Sequence, residues 1–340
     1  MLKQPEEIAE EEKELYEHHR IVVDKGQTQI RIDKFLVNRI ENISRNRIQN
    51  AAKADCILCF GKPVKSNYKV KPNDEISIVL PYPVIELEIL PEDIEVDVIY
   101  EDHALLVVNK SPGMVVHPGH NNYNRTLLNA LLFHFSKTVQ PPPFPLLVHR
   151  IDKDTSGLLV VTKEEYAQTF LARQFFDHSI ERKYQALVWG DFEKNSGTVS
   201  GFIGRSAKDR RVMSVSDNEG EGKWSVTHYK VLERFGFASL IECQLETGRT
   251  HQIRAHMRHI GHPIFSDEMY GGRILHKGNS TTKFKQFIDN CFTIMPRQAL
   301  HAGVLGFIHP TTNQMMHFSN ELPADFTQVL EKMRRNSKNP

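Results

Sequence analysis

Two short stretches carry most of the chain's candidate chemistry. The first, His149-Arg150-Ile151-Asp152-Lys153-Asp154-Thr155-Ser156-Gly157, lies between the apolar runs Leu146-Leu147-Val148 and Leu158-Leu159-Val160-Val161. A dense polar loop between two buried strands is therefore expected. Loops held by a rigid scaffold are where catalytic groups collect, but a turn built from Asp, Thr and Gly is also the ordinary way to join strands, and spacing alone leaves both readings open. The second stretch runs from Leu245 to Arg258. Ile241, Cys243 and Leu245 alternate as the inward face of a strand, Thr247-Gly248 make a turn, and Thr250 is expected to cap a helix that Gly261 ends. Between Thr247 and Ser266 there is no acid, whereas Arg249, Arg254, Arg258, His251, His256, His259 and His262 are present. Strand, glycine turn and helix start form an anion-receptive geometry, to which the first helix amides add partial positive charge. Ile253 and Met257 are expected to bury one side of the helix, with Arg254 flanking it. A buried arginine needs a carboxylate partner, and Asp152 is a candidate.

Other chemistries find less support. The histidine cluster invites a metal, but the sequence has no HExxH and the cluster contains no acid to neutralise a divalent cation, so no metal is expected. A GxGxxG after a strand, a GxxxxGK[ST] loop and a GxSxG elbow are also missing from the sequence, which predicts a reaction without cofactor. Cys56-Ile57-Leu58-Cys59 has CxxC spacing, yet no second pair exists, and small core hydrophobes are the better account.

The elements that must hold these stretches are legible in part. At 340 residues, 40% hydrophobic and 25% charged, the chain is expected to form two globular domains. No run approaches the ~20 apolar residues of a membrane span and the first residues contain no apolar signal core, so a cytoplasmic protein with no membrane partner is expected. Four scattered cysteines fit a reducing compartment. The net charge of +1 says nothing about partners, but its distribution does. Residues 1–19 hold seven glutamates and read as an acidic tail. Residues 20–80 carry twelve Lys and Arg against six acids, a candidate phosphate-contacting module. Residues 81–95 lie in a stretch free of Lys and Arg and read as a linker, residues 96–330 form one large domain, and 331–340 a basic tail.

Within the small module, Ile32, Phe35, Leu36 and Ile40 recur at helical spacing, and a second helix is expected from Ser44, carrying Ile48, Ala51 and Ala52 inward and Arg45 and Arg47 on its polar side. Ile57 to Phe60 and Glu75 to Leu80 read as strands, with Gly61-Lys62-Pro63 as a turn. In the large domain, Val96 to Tyr100 and Leu105 to Val108 read as strands, Leu127, Leu128, Leu131 and Phe135 mark a helix, and a helix is expected to open at Thr162 with Glu165 completing a capping box.

Arg31-Ile32-Asp33-Lys34-Phe35-Leu36, Ser44-Arg45-Asn46-Arg47-Ile48-Gln49 and Gly61-Lys62-Pro63-Val64 through Ile76 resemble the RNA-binding domain named after small-subunit ribosomal protein S-four. From about Ile99 to Pro310 the chain resembles the RluA-type family of RNA pseudouridine synthases, specifically its RluD-like ribosomal large-subunit branch. The likeness rests on Tyr100-Glu101-Asp102 to Gly113, His149 to Gly157, Arg182-Lys183-Tyr184, Leu245 to His256, and Leu300-His301-Ala302 to His309-Pro310. Departures are modest: Ile151 stands where leucine is usual, Ser111 where proline is usual, and residues 273–296 look locally variable.

The resemblance implies an α+β fold, a mixed, mainly antiparallel catalytic sheet preceded by a small α+β S-four-like domain. It implies that uridines in RNA, foremost large-subunit ribosomal RNA, are isomerised to pseudouridine. Asp152 would be the catalytic aspartate, Arg254 the cation that keeps it ionised, and Tyr184 the aromatic that stacks on the target base. A base inside a helix must be everted to be reached, and Arg150 matches the residue that fills its place. Arg249 and His251 would border the RNA. Arg205, Lys208, Arg210 and Arg211 lie in one Gly-flanked loop and suit a backbone clamp, although a solvated loop explains them equally well. RNA is the expected partner rather than DNA, and a monomer the expected state.

Overall fold

The structure, a computed structural model, describes residues 16–40, 43, 45–80, 89–119, 122–137, 142–276 and 281–338. The chain divides into two compact units at Glu88/Ile89, inside the expected linker.

The N-terminal unit contains β1 (Tyr16–Val22), α1 (Ile32–Val37), α2 (Arg45–Lys53), β2 (Ile57–Cys59), β3 (Lys62–Pro63) and β4 (Glu75–Leu80). Its antiparallel sheet has the order β1-β4-β2-β3. Residues 16–19, expected in the acidic tail, instead pair with the end of β4; the glutamate-rich composition hides a strand whose stability comes from its partner. Residues 1–15 lie outside the described residues. Lys62 and Pro63 form β3 and not a turn, because Phe60 and Gly61 both take positive φ and close the hairpin in two residues. Ile32, Phe35, Leu36, Ile48, Ile57, Val70 and Ile76 fill the core. Asp33 is fully buried and accepts hydrogen bonds from Arg31, Arg45 and Gln49. Desolvation opposes its ionisation, but these donors prevail and hold its pKa well below the usual carboxylate range.

The C-terminal unit runs β5 (Asp97–Glu101), β6 (Leu105–Lys110), α3 (Leu127–Ser136), β7 (Leu146–Leu147), β8 (Ser156–Thr162), α4 (Glu165–Phe176), β9 (Glu181–Trp189), β10 (Ser196–Arg205), β11 (Met213–Ser216), β12 (Lys223–Arg234), β13 (Ala238–Leu245), α5 (Gln252–His259), α6 (Thr282–Ile294), β14 (Leu300–Ile308), β15 (Met315–Ser319) and α7 (Ala324–Lys338). One sheet takes the order β11-β10-β12-β13-β9-β14-β8-β6-β5, with β15 beside β14 and β7 beside β8. Only the β14–β8 pair is parallel among the described strands, so the unit is α+β with a mainly antiparallel sheet.

The unbroken apolar runs at β6 and β8 have a simple cause: the sheet is covered on both faces there. Leu106, Val108, Leu159 and Val161 join the core shared with α3, α6 and α7, whereas Leu105, Val107, Leu158 and Val160 meet Leu171 of α4. No described helix is long and apolar enough to cross a membrane.

Three local expectations fail. Thr162 is the buried last residue of β8 and gives its hydroxyl proton to Leu146 O, so α4 begins later, after Glu164, with no side-chain cap. Thr250 does not cap α5; the residue before the helix is His251, left-handed at φ 54°. Of the supposed basic tail, residues 331–338 are the last part of α7, where Met333 is buried and Arg334 pairs with Glu233, and 339–340 lie outside the described residues. Phe326, Val329, Leu330 and Met333 recur on one helical face, which charges around them obscured in the sequence.

Gly157 is where β8 meets β14. Its φ is +115°, and a Cβ there would lie 2.2 Å from Ala302 O. Gly157→Ala is expected to lower the stability of this unit by about 3 kcal/mol or more, whereas Gly113→Ala, at φ +83° in open space, should lose only about 1 kcal/mol. Urea midpoints compared between the two variants check this; equal losses would remove the steric argument.

Candidate active site

The polar loop after β7 is pinned by its backbone. Thr155 N donates to Asp152 O (3.1 Å), Lys110 Nζ donates to Lys153 O (2.9 Å), and Arg297 Nη1 donates to Asp154 O (3.0 Å). Lys110 is itself buried and also donates to Ser111 O and Met114 O. Burial pushes its ammonium down to about 7, against the attraction of Asp154. His149, pushed down to about 3 by burial and by Arg182, is a neutral acceptor for Val160 N at 3.0 Å. A surface turn would not consume two buried cations in this way.

Pinning the loop fixes where Asp152 points. Arg254 Nη1 donates to Asp152 Oδ2 at 3.1 Å, and the same guanidinium makes two hydrogen bonds to Asp267, Nε to Oδ2 at 2.7 Å and Nη2 to Oδ1 at 3.0 Å. Arg254 is 5% exposed and Asp267 1%, while the Asp152 side chain retains 19%. Burial opposes the charge on Arg254, but the two carboxylates more than offset it and raise its pKa above the ordinary arginine value. The guanidinium also lies over the Tyr270 ring, 4.7 Å from its centroid. Asp152 Oδ1 makes no hydrogen bond among the described residues and remains available to a ligand.

The helix that carries Arg254 starts through a side-chain bracket. Gln252 Oε1 accepts from Arg249 N (3.0 Å) and Thr247 Oγ1 (2.8 Å), and Gln252 Nε2 donates to Val226 O (2.9 Å). This bracket does the work expected of Thr250. His251, strained into the left-handed region, places Nε2 3.9 Å from Asp152 Oδ2 and Nδ1 2.9 Å from the Tyr270 hydroxyl. The Tyr270 oxygen accepts from Met213 N at 2.8 Å and shares a hydrogen bond with His251 Nδ1. Burial lowers the His251 pKa, against the attraction of Asp152.

A cavity of about 500 Å³ is lined by Arg150, Asp152, Tyr184, Arg249, His251 and Arg254 among others. All three predicted catalytic residues and three of the predicted RNA-binding residues thus meet in one space. Burial raises the pKa of the Tyr184 phenol, which stays protonated and able to donate. Arg150 is exposed at the rim. Arg205, the last residue of β10, and Lys208, Arg210 and Arg211 on the β10–β11 connection are not among the residues lining this cavity and are all exposed. There Arg205 Nη1 holds Arg210 O, and Arg211 is committed to Asp209. On the N-terminal unit, Arg45 is drawn onto buried Asp33, and the side chain of Arg47, with Ser44, lies outside the described residues. His256 is hydrogen-bonded to Thr227 and Ser225, and His262 to Trp189 O, so the histidine cluster of the sequence is dispersed in space.

Sequence reasoning misses Asp267, Tyr270 and Lys110. Asp267 is the first acid after the acid-free stretch that ends at Ser266, and Ser266, at φ 62°, turns the chain back to deliver it. That proximity was the available signal.

The profile of the RNA pseudouridylate synthase family matches residues 104–259. The chain is 42% identical over 308 residues to a Zymomonas mobilis protein described as ribosomal large subunit pseudouridine synthase D, covering 89% of this chain and 93% of that one. A Chlorobaculum parvum protein described as an uncharacterized RNA pseudouridine synthase is 45% identical, covering 92% and 96%. The fold is similar to that of the solved structure of human RNA pseudouridylate synthase domain containing 4, with TM-score 0.56, 22% identity and coverage of 70% and 93%. The chain belongs to the RNA pseudouridylate synthase family, whose reaction isomerises uridine in RNA.

Asp267→Asn weakens the two-hydrogen-bond ion pair that, among the described residues, holds Arg254 from its inner side. The variant is expected to destabilise the C-terminal unit by about 3–5 kcal/mol, the usual cost of breaking a buried ion pair. Thermal or urea unfolding reads this directly, and a change below about 1 kcal/mol would contradict the role assigned to Asp267.

Proposed function

We propose that the protein converts uridines of large-subunit ribosomal RNA to pseudouridine, with Asp152 as the catalytic carboxylate, Arg254 as its counter-ion and Tyr184 as the face that receives an everted base. The observation that carries this reading is the 3.1 Å contact between Arg254 and Asp152 inside a cavity that Tyr184 also lines. The isomerisation breaks a carbon–nitrogen bond, turns the uracil over and rejoins it through carbon. It involves no redox step, no net hydrolysis and no cofactor, and it suits a site built from one carboxylate, guanidinium groups and a phenol. The substrate class is suggested by the relatives named for the large ribosomal subunit.

The target base must leave its stack, at a cost of a few kcal/mol, least where the RNA is already looped. Arg150, exposed at the rim of the cavity, is suited to fill the vacated place. Arg249 and His251 border the same space. The N-terminal unit, read as S-four-like, is assigned to gripping RNA through its backbone. The cations of the β10–β11 connection would clamp a neighbouring strand.

Ribosomal RNA tritiated at uracil C5 is the direct assay, since the proton at C5 is lost when the base rejoins through that carbon. Wild-type protein is expected to release tritium, and Asp152→Asn to slow release by about 10⁴-fold or more. No release by wild type from any ribosomal RNA would overturn the function, and equal release by the variant would overturn the assignment of Asp152.

The clamp is tested separately. Replacing Arg205, Lys208 and Arg210 by Gln is expected to reduce the slope of log affinity against log salt by about 2, from ~0.7 per phosphate contact on single-stranded RNA. Single-turnover release at saturating protein should stay near wild type. An unchanged slope would show that these cations belong to a solvated loop.

A further inference from the structure

Arg182 is a buried cation in the reaction cavity with almost nothing to neutralise it. It is 7% exposed and lines the same space as Asp152 and Tyr184. Among the described residues its Nε has no hydrogen-bond partner, and its one hydrogen bond is a long contact of 3.4 Å from Nη2 to Glu246 O. Among the described residues no carboxylate pairs with it; the guanidinium lies over the Phe175 ring, 5.2 Å from the centroid. Buried arginine normally has an ionic partner, because the desolvation cost is otherwise unrecovered. The surroundings are shaped to admit the group: a Cβ on Gly248 would fall 2.7 Å from Arg182 Nη1.

The other cations of the cavity are committed or peripheral. Arg254 divides its donors between Asp267 and Asp152, Arg249 Nε donates to Trp224 O, and Arg150 is exposed. Arg182 and Tyr184 are two residues apart on β9, so their side chains leave the same face of the strand.

We infer that Arg182 is a further catalytic residue, which receives the carbonyl oxygens of the target uracil and holds the negative charge that the base acquires when its glycosidic bond breaks. The inference rests on the uridine-isomerising reading above. When the C1′–N1 bond breaks, its electron pair leaves with the base, giving a uracil anion delocalised over N1, O2 and O4. The Asp152 carboxylate loses its charge in the same step, either by bonding through oxygen to C1′ or by taking the C2′ proton. Rejoining reverses this: C5 bonds to C1′, Asp152 recovers its electron pair or gives its proton back to C2′, and the C5 proton passes to water while N1 takes up a proton, which leaves a neutral base. The net charge of the site is constant, but its location moves from Asp152 to the base. Arg254 stabilises the first location and Arg182 the second, where it acts on charge absent from the ground state.

The test measures single-turnover tritium release and RNA affinity for wild type, Arg182→Met and Arg182→Lys. Arg182→Met is expected to lower the saturating rate by about 10²–10³-fold, with RNA affinity within about threefold of wild type. Arg182→Lys, which keeps the charge and loses the planar fork, should fall between them. The same variants are then given RNA containing 5-fluorouridine, whose electron-withdrawing fluorine makes the base a better anion, and consumption of the fluoronucleoside is followed in nuclease digests. The penalty for losing Arg182 should shrink on this substrate. A rate within threefold of wild type would overturn the proposal, as would weakened RNA affinity with an unchanged rate, the signature of a phosphate contact. An identical penalty on both substrates would also overturn it, since a purely structural role is indifferent to the leaving group. If Arg182→Met does not fold, Arg182→Lys carries the same comparison. Wild-type protein silent on every RNA would instead overturn the isomerising reading on which the proposal stands.

Discussion

The guanidinium of Arg254 sits between two carboxylates, with an aromatic ring against its face, and the site's geometry follows from that placement. Asp267, almost wholly buried, takes two of its N–H groups and leaves one directed at Asp152. An arginine held by only one acid could swing with it. Held by the inner acid, it presents a fixed positive charge to the outer one, and Asp152 keeps one oxygen uncommitted. The buried acid orients the guanidinium, and the partly exposed one keeps an oxygen open to the cavity.

Reaching that geometry demands convergence of two remote parts of the chain, the second of which supplies two residues. Asp152 comes from the loop before β8, Arg254 from α5 and Asp267 from the turn after it. The sheet makes the convergence possible because β8, β14, β9 and β13 are neighbours, although β8 and β14 are separated by well over a hundred residues in sequence. Gly157 lets β8 approach β14 at a spacing that no side chain would tolerate. Lys110 and Arg297 then fix the loop by its carbonyl oxygens, leaving its side chains free for function.

Much of this was legible in the residues. The apolar runs at β6 and β8 read as buried strands because both sheet faces are covered, and the requirement that Arg254 find a carboxylate followed from its place on an apolar helix face. What escaped were features set by tertiary contact. Glu17 sits in a strand because β4 offers an edge. Thr162 and Thr250 are good capping residues by type, but one is buried at a strand end and the other is displaced by the side chain of Gln252. Asp267 lay a single position beyond the stretch whose lack of acids had seemed informative, and only the reversal at Ser266 makes it a partner of Arg254. Side-chain chemistry announces which partners are needed; chain reversals decide who supplies them.

The Tyr270 hydroxyl accepts from Met213 N, at the start of β11, and faces His251 Nδ1 beside Asp152. The hairpin bearing the exposed cations and the imidazole next to the carboxylate therefore share a single oxygen atom. The phenol is thereby buttressed from the sheet edge as well as from its own turn, so the ring that backs the Arg254 guanidinium is braced at both ends.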